Sequence, residues 1–260
     1  TCGIEEPNAL VQILNEHNEP NVRATVKKIY EGMVVKSQNR WPSLKRDFGS
    51  INNLLSPIFS AGFYYKTFMG PKSFWKNVYE PLIRRTAGLG KPPREFKSKS
   101  IHLHHNVDIL IVGGGLAGLL AAKKLAGTDQ DVLLIERDDN LGGILRNSNK
   151  IKSIDGQNSS NWIEKTDWLL KGANNIKILK NTTVTTYNYK DHLVAIEDKS
   201  VGAPPDNSKP ELVMHKIRTK HTVLANGHIE RFLSFRNNDL PGIMLAASFE
   251  KYIQRYDVVP

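Results

Sequence analysis

Val107-Asp108-Ile109-Leu110-Ile111-Val112 runs directly into Gly113-Gly114-Gly115-Leu116-Ala117-Gly118, and the reading of this stretch decides the fold. The first half is an apolar run of strand length, broken only by Asp108, and suits a parallel strand buried on both faces. The second half matches G-x-G-x-x-G. Leu119 to Ala126 is Leu- and Ala-rich with Lys123 and Lys124, which is good helix material. Gly127-Thr128-Asp129-Gln130 turns the chain, Val132-Leu133-Leu134-Ile135 makes a second strand, and Glu136 stands at its carboxyl end. Strand, glycines, helix, strand and terminal acid in register define a βαβ dinucleotide-binding unit from Val107 to Gly143.

Each position has a physical task. Gly113 permits the tight strand-to-helix turn, Gly115 removes a side chain where pyrophosphate must approach, and Gly118 lets helix and strand pack closely. The N-terminus of the helix that follows offers free N–H groups and a positive dipole end to the phosphates. Glu136 can accept hydrogen bonds from the ribose hydroxyls of NAD or FAD. An acid there disfavours the 2′-phosphate of NADP, an effect softened by the adjacent Arg137. After Asp138-Asp139-Asn140-Leu141, the pair Gly142-Gly143 is expected to let a further loop approach the cofactor.

Composition narrows the function classes. The chain has 260 residues, 40% hydrophobic and 24% charged, an ordinary globular balance. No apolar run approaches the roughly 20 residues of a membrane-spanning helix, and no secretory signal is visible, so a cytoplasmic location is expected. The net charge of +10 would suit a polyanion, but Lys and Arg are scattered and nucleic-acid binding is not expected. Cys2 is the only cysteine, which excludes an intrachain disulfide and a four-cysteine metal site. The absence of an initiator Met and the stop at Val259-Pro260 suggest an internal fragment.

Outside the unit the signals are weaker. Thr25 to Val35 mixes helical and strand-like residues, and its type is left open. Ser73 to Ala87 reads as a helix, with Phe74, Val78 and Leu82 at four-residue spacing, Ser73 and Gly88 as caps, and a kink or division at Pro81. The aromatic group Phe59, Phe63, Tyr64, Tyr65 and Phe68 suits packing better than base stacking. Residues 91 to 105 read as a polar linker, with His102, His104 and His105 forming a solvated approach to the strand rather than a metal site. Ile176 to Leu179, Thr182 to Tyr187, Leu193 to Glu197 and Leu212 to Ile217 read as strands of an inserted β-meander. Thr222 to Gly227 then forms a separate apolar strand, whose end at Ala225-Asn226-Gly227 suits either passage beside a dinucleotide or a plain turn.

With these residues in place, the chain resembles the alpha subunits of heterotetrameric sarcosine oxidases. The resemblance is carried by Thr1-Cys2-Gly3-Ile4-Glu5-Glu6-Pro7-Asn8-Ala9-Leu10, Ser37-Gln38-Asn39-Arg40-Trp41-Pro42-Ser43, Leu55-Ser56-Pro57 through Met69, and Asn237-Asn238-Asp239-Leu240-Pro241-Gly242-Ile243-Met244-Leu245-Ala246. It implies an α/β fold: a Rossmann-like domain of the two-dinucleotide flavoprotein (glutathione reductase-like) type with a β-meander, spanning residues 101–260. Residues 1–100 would be a cluster-less ferredoxin-like remnant and linker. It also implies NAD in this chain, with FAD as the alternative. FAD and FMN would serve elsewhere in a complex with beta, gamma and delta subunits, and tetrahydrofolate would accept the one-carbon unit. The family's NAD contacts correspond here to the loop around Ala117, to Glu136 and Arg137, and to Val184. The family's Ala-Thr-Gly strand end is Ala225-Asn226-Gly227 here. No catalytic residue and no metal ligand is assigned. The alternatives are an FAD-dependent opine or amine dehydrogenase subunit, and a non-catalytic scaffold stabilised by its nucleotide.

Overall fold

The computed structural model describes residues 9–15, 18–38, 40–53, 70–91, 100–147, 151, 153–189, 191–204, 210–238 and 242–260. Cys2, the aromatic group from Phe59 to Phe68 and residues 92–99 of the linker lie outside the described residues. Contacts divide the described chain into two units, one ending at residue 91 and the other beginning at residue 100.

In the first unit, β1 (Leu10–Ile13) is the centre of a three-stranded antiparallel sheet between β2 (Glu19–Arg23) and β3 (Val35–Ser37). Ile13 is fully buried, whereas the stretch between Thr25 and Val34 is irregular. Helix α1 (Lys72–Phe74) continues through a π-helical turn, Trp75–Tyr79, into α2 (Glu80–Thr86). Pro71 rather than Ser73 occupies the N-cap, so Ser73 lies inside the helix. Pro81 has no N–H to return to the carbonyl four residues back, and the π-turn takes up that mismatch just upstream. Gly88, at φ +70°, ends the helix: its N–H donates to the Arg85 carbonyl at 3.1 Å and the Leu89 N–H to that of Arg84 at 3.0 Å. These two bonds satisfy carbonyls the helix end would otherwise strand.

The second unit is a Rossmann-like α/β fold on a six-stranded mixed sheet. Its strands are β4 (Ser100–Val112), β5 (Val132–Ile135), β8 (Ile176–Leu179), β9 (Thr182–Asn188), β10 (His192–Asp198) and β11 (Leu212–Leu224), in spatial order β8-β5-β4-β11-β10-β9. The pairs β8–β5, β5–β4 and β4–β11 are parallel, and β11–β10 and β10–β9 antiparallel. A separate two-stranded ribbon joins β6 (Ser153–Ile154) to β7 (Gln157–Asn158).

Helices α3 (Leu116–Leu125) and α4 (Ser159–Gly172) cover one face, burying Ile111, Leu119, Ala122, Leu134, Trp162, Ile163 and Leu170. On the other face Leu110, Leu133 and Ile135 pack with Leu193, Ala195 and Ile217, and Val184 lies against them. The antiparallel end of the sheet therefore curls back over its parallel half, and the Thr182 N–H reaches the Glu136 carbonyl at 2.9 Å. Each large aliphatic side chain buried in this way contributes about 1.5–3 kcal/mol. Helix α5 (Ala246–Tyr256) follows β11, and residues 225–238 and 242–245 between them are irregular. Among the described residues, no helix is long and apolar enough to cross a membrane.

The strand assignments need correcting in three places. Residues 100–105, expected to end a linker, form the front half of β4, and Ile176–Leu179 belongs to the parallel half rather than to a meander. Leu212–Ile217 and Thr222–Leu224, expected as two strands, are one strand of 13 residues. For the two long strands the reason is shared: β4 and β11 pair in parallel from Ser100↔Leu212 to Val112↔Leu224, so backbone hydrogen bonding carries polar residues into the sheet.

Candidate functional site

The glycine loop sits between the end of β4 and the start of α3. Gly113 adopts φ +105°, and a Cβ there would lie 2.8 Å from the Ala225 carbonyl carbon. The Ala225 N–H donates to the Val112 carbonyl at 2.8 Å, so the end of β11 runs directly beside the loop. A Cβ at Gly118 would collide with the Gly113 carbonyl, so the close approach of the helix to the loop here requires glycine. At Gly114 the obstacles are Leu141 Cδ2 at 2.6 Å and Glu136 Oε2 at 3.0 Å.

Gly115 differs from all three. It is the N-cap of α3, in extended conformation and without a side-chain cap, and a Cβ there would meet nothing within 4 Å. The first turn of α3, including the exposed Ala117, has N–H groups with no partner inside the helix. The open side at Gly115 is thus a cradle in front of unspent donors, which suits an anionic pyrophosphate.

Glu136 faces this loop from the end of β5. Its Oε2 accepts the Gly114 N–H at 2.6 Å and its Oε1 the Asp138 N–H at 2.8 Å. Burial raises the Glu136 pKa, the two backbone N–H groups oppose that rise, nearby Asp138 adds to it, and Arg137 opposes it. Each carboxylate oxygen retains a lone pair for a further donor. Arg137 is exposed, with its Nε 3.9 Å from Asp138. Arg255 of α5 reaches Asp138 and Asp139, each at 3.5 Å, so the acidic turn is ion-paired.

Gly142, at φ +116°, donates its N–H to the Gly114 carbonyl at 2.8 Å, and a Cβ on Gly143 would lie 3.1 Å from the Gly115 Cα. This second glycine pair therefore backs onto the first loop. Val184 lies on β9, two residues after the Thr182 that bonds to the Glu136 backbone. Gly227 is exposed at φ +67°, and Asn226 follows Ala225 beside Gly113. The structure thus gathers the glycine loop, Glu136, Arg137, Gly142, Gly143 and Ala225 around one end of the sheet. No local motif points to Arg255, which lies remote in sequence from the acidic turn it meets.

Away from this end, His105 Nε2 lies 2.8 Å from His215 Nδ1, and His215 Nε2 lies 3.0 Å from Glu197 Oε2. Among the described residues no group of three or more His, Cys, Asp or Glu could hold a metal ion.

Residues 111–164 match a family of NAD(P)-binding Rossmann-like domains. The chain is 38% identical over 268 residues to the sarcosine oxidase subunit alpha of Rhizobium meliloti (strain 1021), covering 100% of this chain and 26% of that protein. It is 37% identical over 265 residues to the corresponding subunit of Corynebacterium sp. (strain P-1), covering 99% of this chain and 22% of that protein. Among solved structures, L-proline dehydrogenase from P. horikoshii matches with a TM-score of 0.49 and 25% identity, over 64% of this chain and 32% of that one. The chain is therefore homologous, over essentially its whole length, to sarcosine oxidase alpha subunits, and spans about a quarter of them.

Proposed function

We propose, from this homology and from the open cradle at Gly115, that the chain is the dinucleotide-holding part of a sarcosine oxidase alpha subunit. The first turn of α3 binds the pyrophosphate, Glu136 accepts the ribose hydroxyls, and Val184 borders the adenine side. Gly142, Gly143, Ala225 and Gly227 let backbone close around the site. The Glu136 carboxylate beside Asp138 favours an unphosphorylated ribose, and NAD is the preferred ligand. A bound nicotinamide or flavin ring supplies two-electron redox chemistry. Residues 1–100 form the cluster-less ferredoxin-like region of the same subunit.

The complex acts on a CH–NH donor. Sarcosine loses two electrons at its N-methyl group and yields glycine. The methyl carbon leaves as methylene on tetrahydrofolate, and oxygen takes the electrons to become hydrogen peroxide. FAD and FMN elsewhere in an assembly with beta, gamma and delta subunits carry that oxidation, in the cytoplasm.

The deciding observation is the open side of Gly115 in front of the first turn of α3, because the other glycines of the same loop, Gly113, Gly114 and Gly118, are each closed in by neighbouring atoms. Nucleotide released by denaturing the full-length protein, identified by mass, tests the reading. NAD is expected, and Gly115→Val should lose it, since a branched side chain fills the phosphate approach. Yellow colour with FAD released would instead favour the amine dehydrogenase reading. Retention of nucleotide by Gly115→Val at wild-type occupancy would refute the cradle.

A further inference from the structure

We infer that Arg255 is a positioning residue for the nucleotide site: its guanidinium, held over Asp138 and Asp139, fixes the turn that aims the Glu136 carboxylate. This rests on the dinucleotide reading and adds a residue to it. The Arg255 side chain is only 16% exposed, with NH1 at 3.5 Å from Asp138 Oδ2 and NH2 at 3.5 Å from Asp139 Oδ1. A planar fork spanning two adjacent carboxylates restrains the backbone between them better than a point charge would. The same turn supplies the Asp138 N–H that binds Glu136 Oε1 at 2.8 Å. Its other side is tied by the Asn181 N–H to the Asp138 carbonyl at 3.1 Å, and on the side-chain edge Arg255 meets both aspartates while the exposed Arg137 approaches Asp138 alone at 3.9 Å.

The charges around Glu136 make the consequence directional. The groups facing it are Asp138 and Arg137 from its own turn and the Gly114 N–H from the glycine loop, with Arg255 and Asp139 one step further out. Losing Arg255 loosens the Asp138 N–H and leaves both aspartates without that cation. Both effects favour the protonated form of Glu136. Ribose hydroxyls need the ionised acceptor, so binding should fail at a higher pH than in the wild type.

The probe is ADP-ribose, titrated calorimetrically between acid and neutral pH into full-length protein freed of nucleotide. Arg255→Gln should bind about two- to fivefold more weakly at neutral pH, the range for one partly exposed ion pair. Its acid limit should move up by about half a pH unit. Arg255→Lys, which keeps the cation and loses the fork, should fall between the two. Urea unfolding establishes first that the variants fold. If the glutamine variant does not, the lysine variant decides, with weakening of about twofold or an upward acid limit in support. Wild-type affinity and an unmoved acid limit in the folded variants would overturn the role of Arg255. Failure of the wild type itself to bind ADP-ribose would overturn the dinucleotide reading instead.

Discussion

A methyl group added at Gly113 would land 2.8 Å from the Ala225 carbonyl carbon, on a backbone at φ +105°. One added at Gly115, two residues on, would touch nothing within 4 Å. If the first glycine answers to the fold and the second to the proposed dinucleotide, substitution should separate them. Gly113→Ala is expected to cost about 2–4 kcal/mol of stability through clash and backbone strain. Gly115→Ala should cost within about 1 kcal/mol, the price of a poorer N-cap, yet weaken dinucleotide binding at least about tenfold. Urea midpoints and calorimetric titration measure the two quantities; equal losses of stability would dissolve the distinction. Glu136 carries a pH dependence of its own. Because burial raises its folded pKa, its contribution to stability is fully present below the unfolded pKa and is lost as pH rises through the folded value. Ligand binding runs the other way, since ribose recognition needs the carboxylate. ADP-ribose affinity should therefore fall with acidification from a pH above the ordinary glutamate range, and Glu136→Gln should abolish that limb. A wild-type affinity that stays flat through this interval would count against Glu136 as the ribose acceptor.

At the scale of elements, the βαβ unit was legible because its determinants are local. Val107 to Val112, the glycines and Val132 to Ile135 each declare themselves within a few residues, and β5 is buried at every position. The extensions of β4 and β11 were not legible. His102, His104 and His105 read as a solvated approach, yet His105 reaches the buried His215 across the parallel pair, and His215 reaches Glu197 on β10. Partners that far apart in sequence leave no periodicity to detect, and pairing rather than hydrophobicity recruits those residues. Helix α4 shows a local signal turned to a remote purpose. Asn158 caps it by accepting the Asn161 N–H at 2.8 Å, and its first turns carry Trp162 and Ile163 into the core beneath the second glycine loop. A Cβ on Gly142 would lie 2.7 Å from Ile163 Cδ1, so the helix sets the height of that loop. Trp162 is 2% exposed and its Nε1 donates to Asp155 at 3.1 Å. Trp162→Ala should cost about 3–5 kcal/mol and weaken nucleotide binding with it, whereas Trp162→Phe should recover most of both. Unfolding curves that leave the alanine variant within 1 kcal/mol, a margin of about fivefold, would show that α4 is not a support of the site.

At the scale of the whole molecule, the described chain holds two units, and every residue assigned to the nucleotide lies in the second. The sarcosine oxidase alpha subunits it resembles are about four times as long, and the cradle proposed at Gly115 lies within the stretch they share with it. Binding energy delivered there stabilises the folded state by mass action whether or not the ring it carries turns over, by about 2.7 kcal/mol at a hundredfold excess over Kd. That stabilisation should be confined to the unit that contains the site. Hydrogen exchange with saturating ADP-ribose should slow at residues 113–122, 136–146 and 225–227, where the glycine loops and the end of β11 meet. Residues 10–37, which form β1, β2 and β3, should exchange at unchanged rates. Protection spread evenly over both units would mean that the ligand orders the entire chain, and the assignment of the site to the second unit alone would fail. Protection confined to residues 10–37 would place the nucleotide elsewhere, because no rearrangement of the cradle could leave the first turn of α3 untouched by a pyrophosphate bound to it.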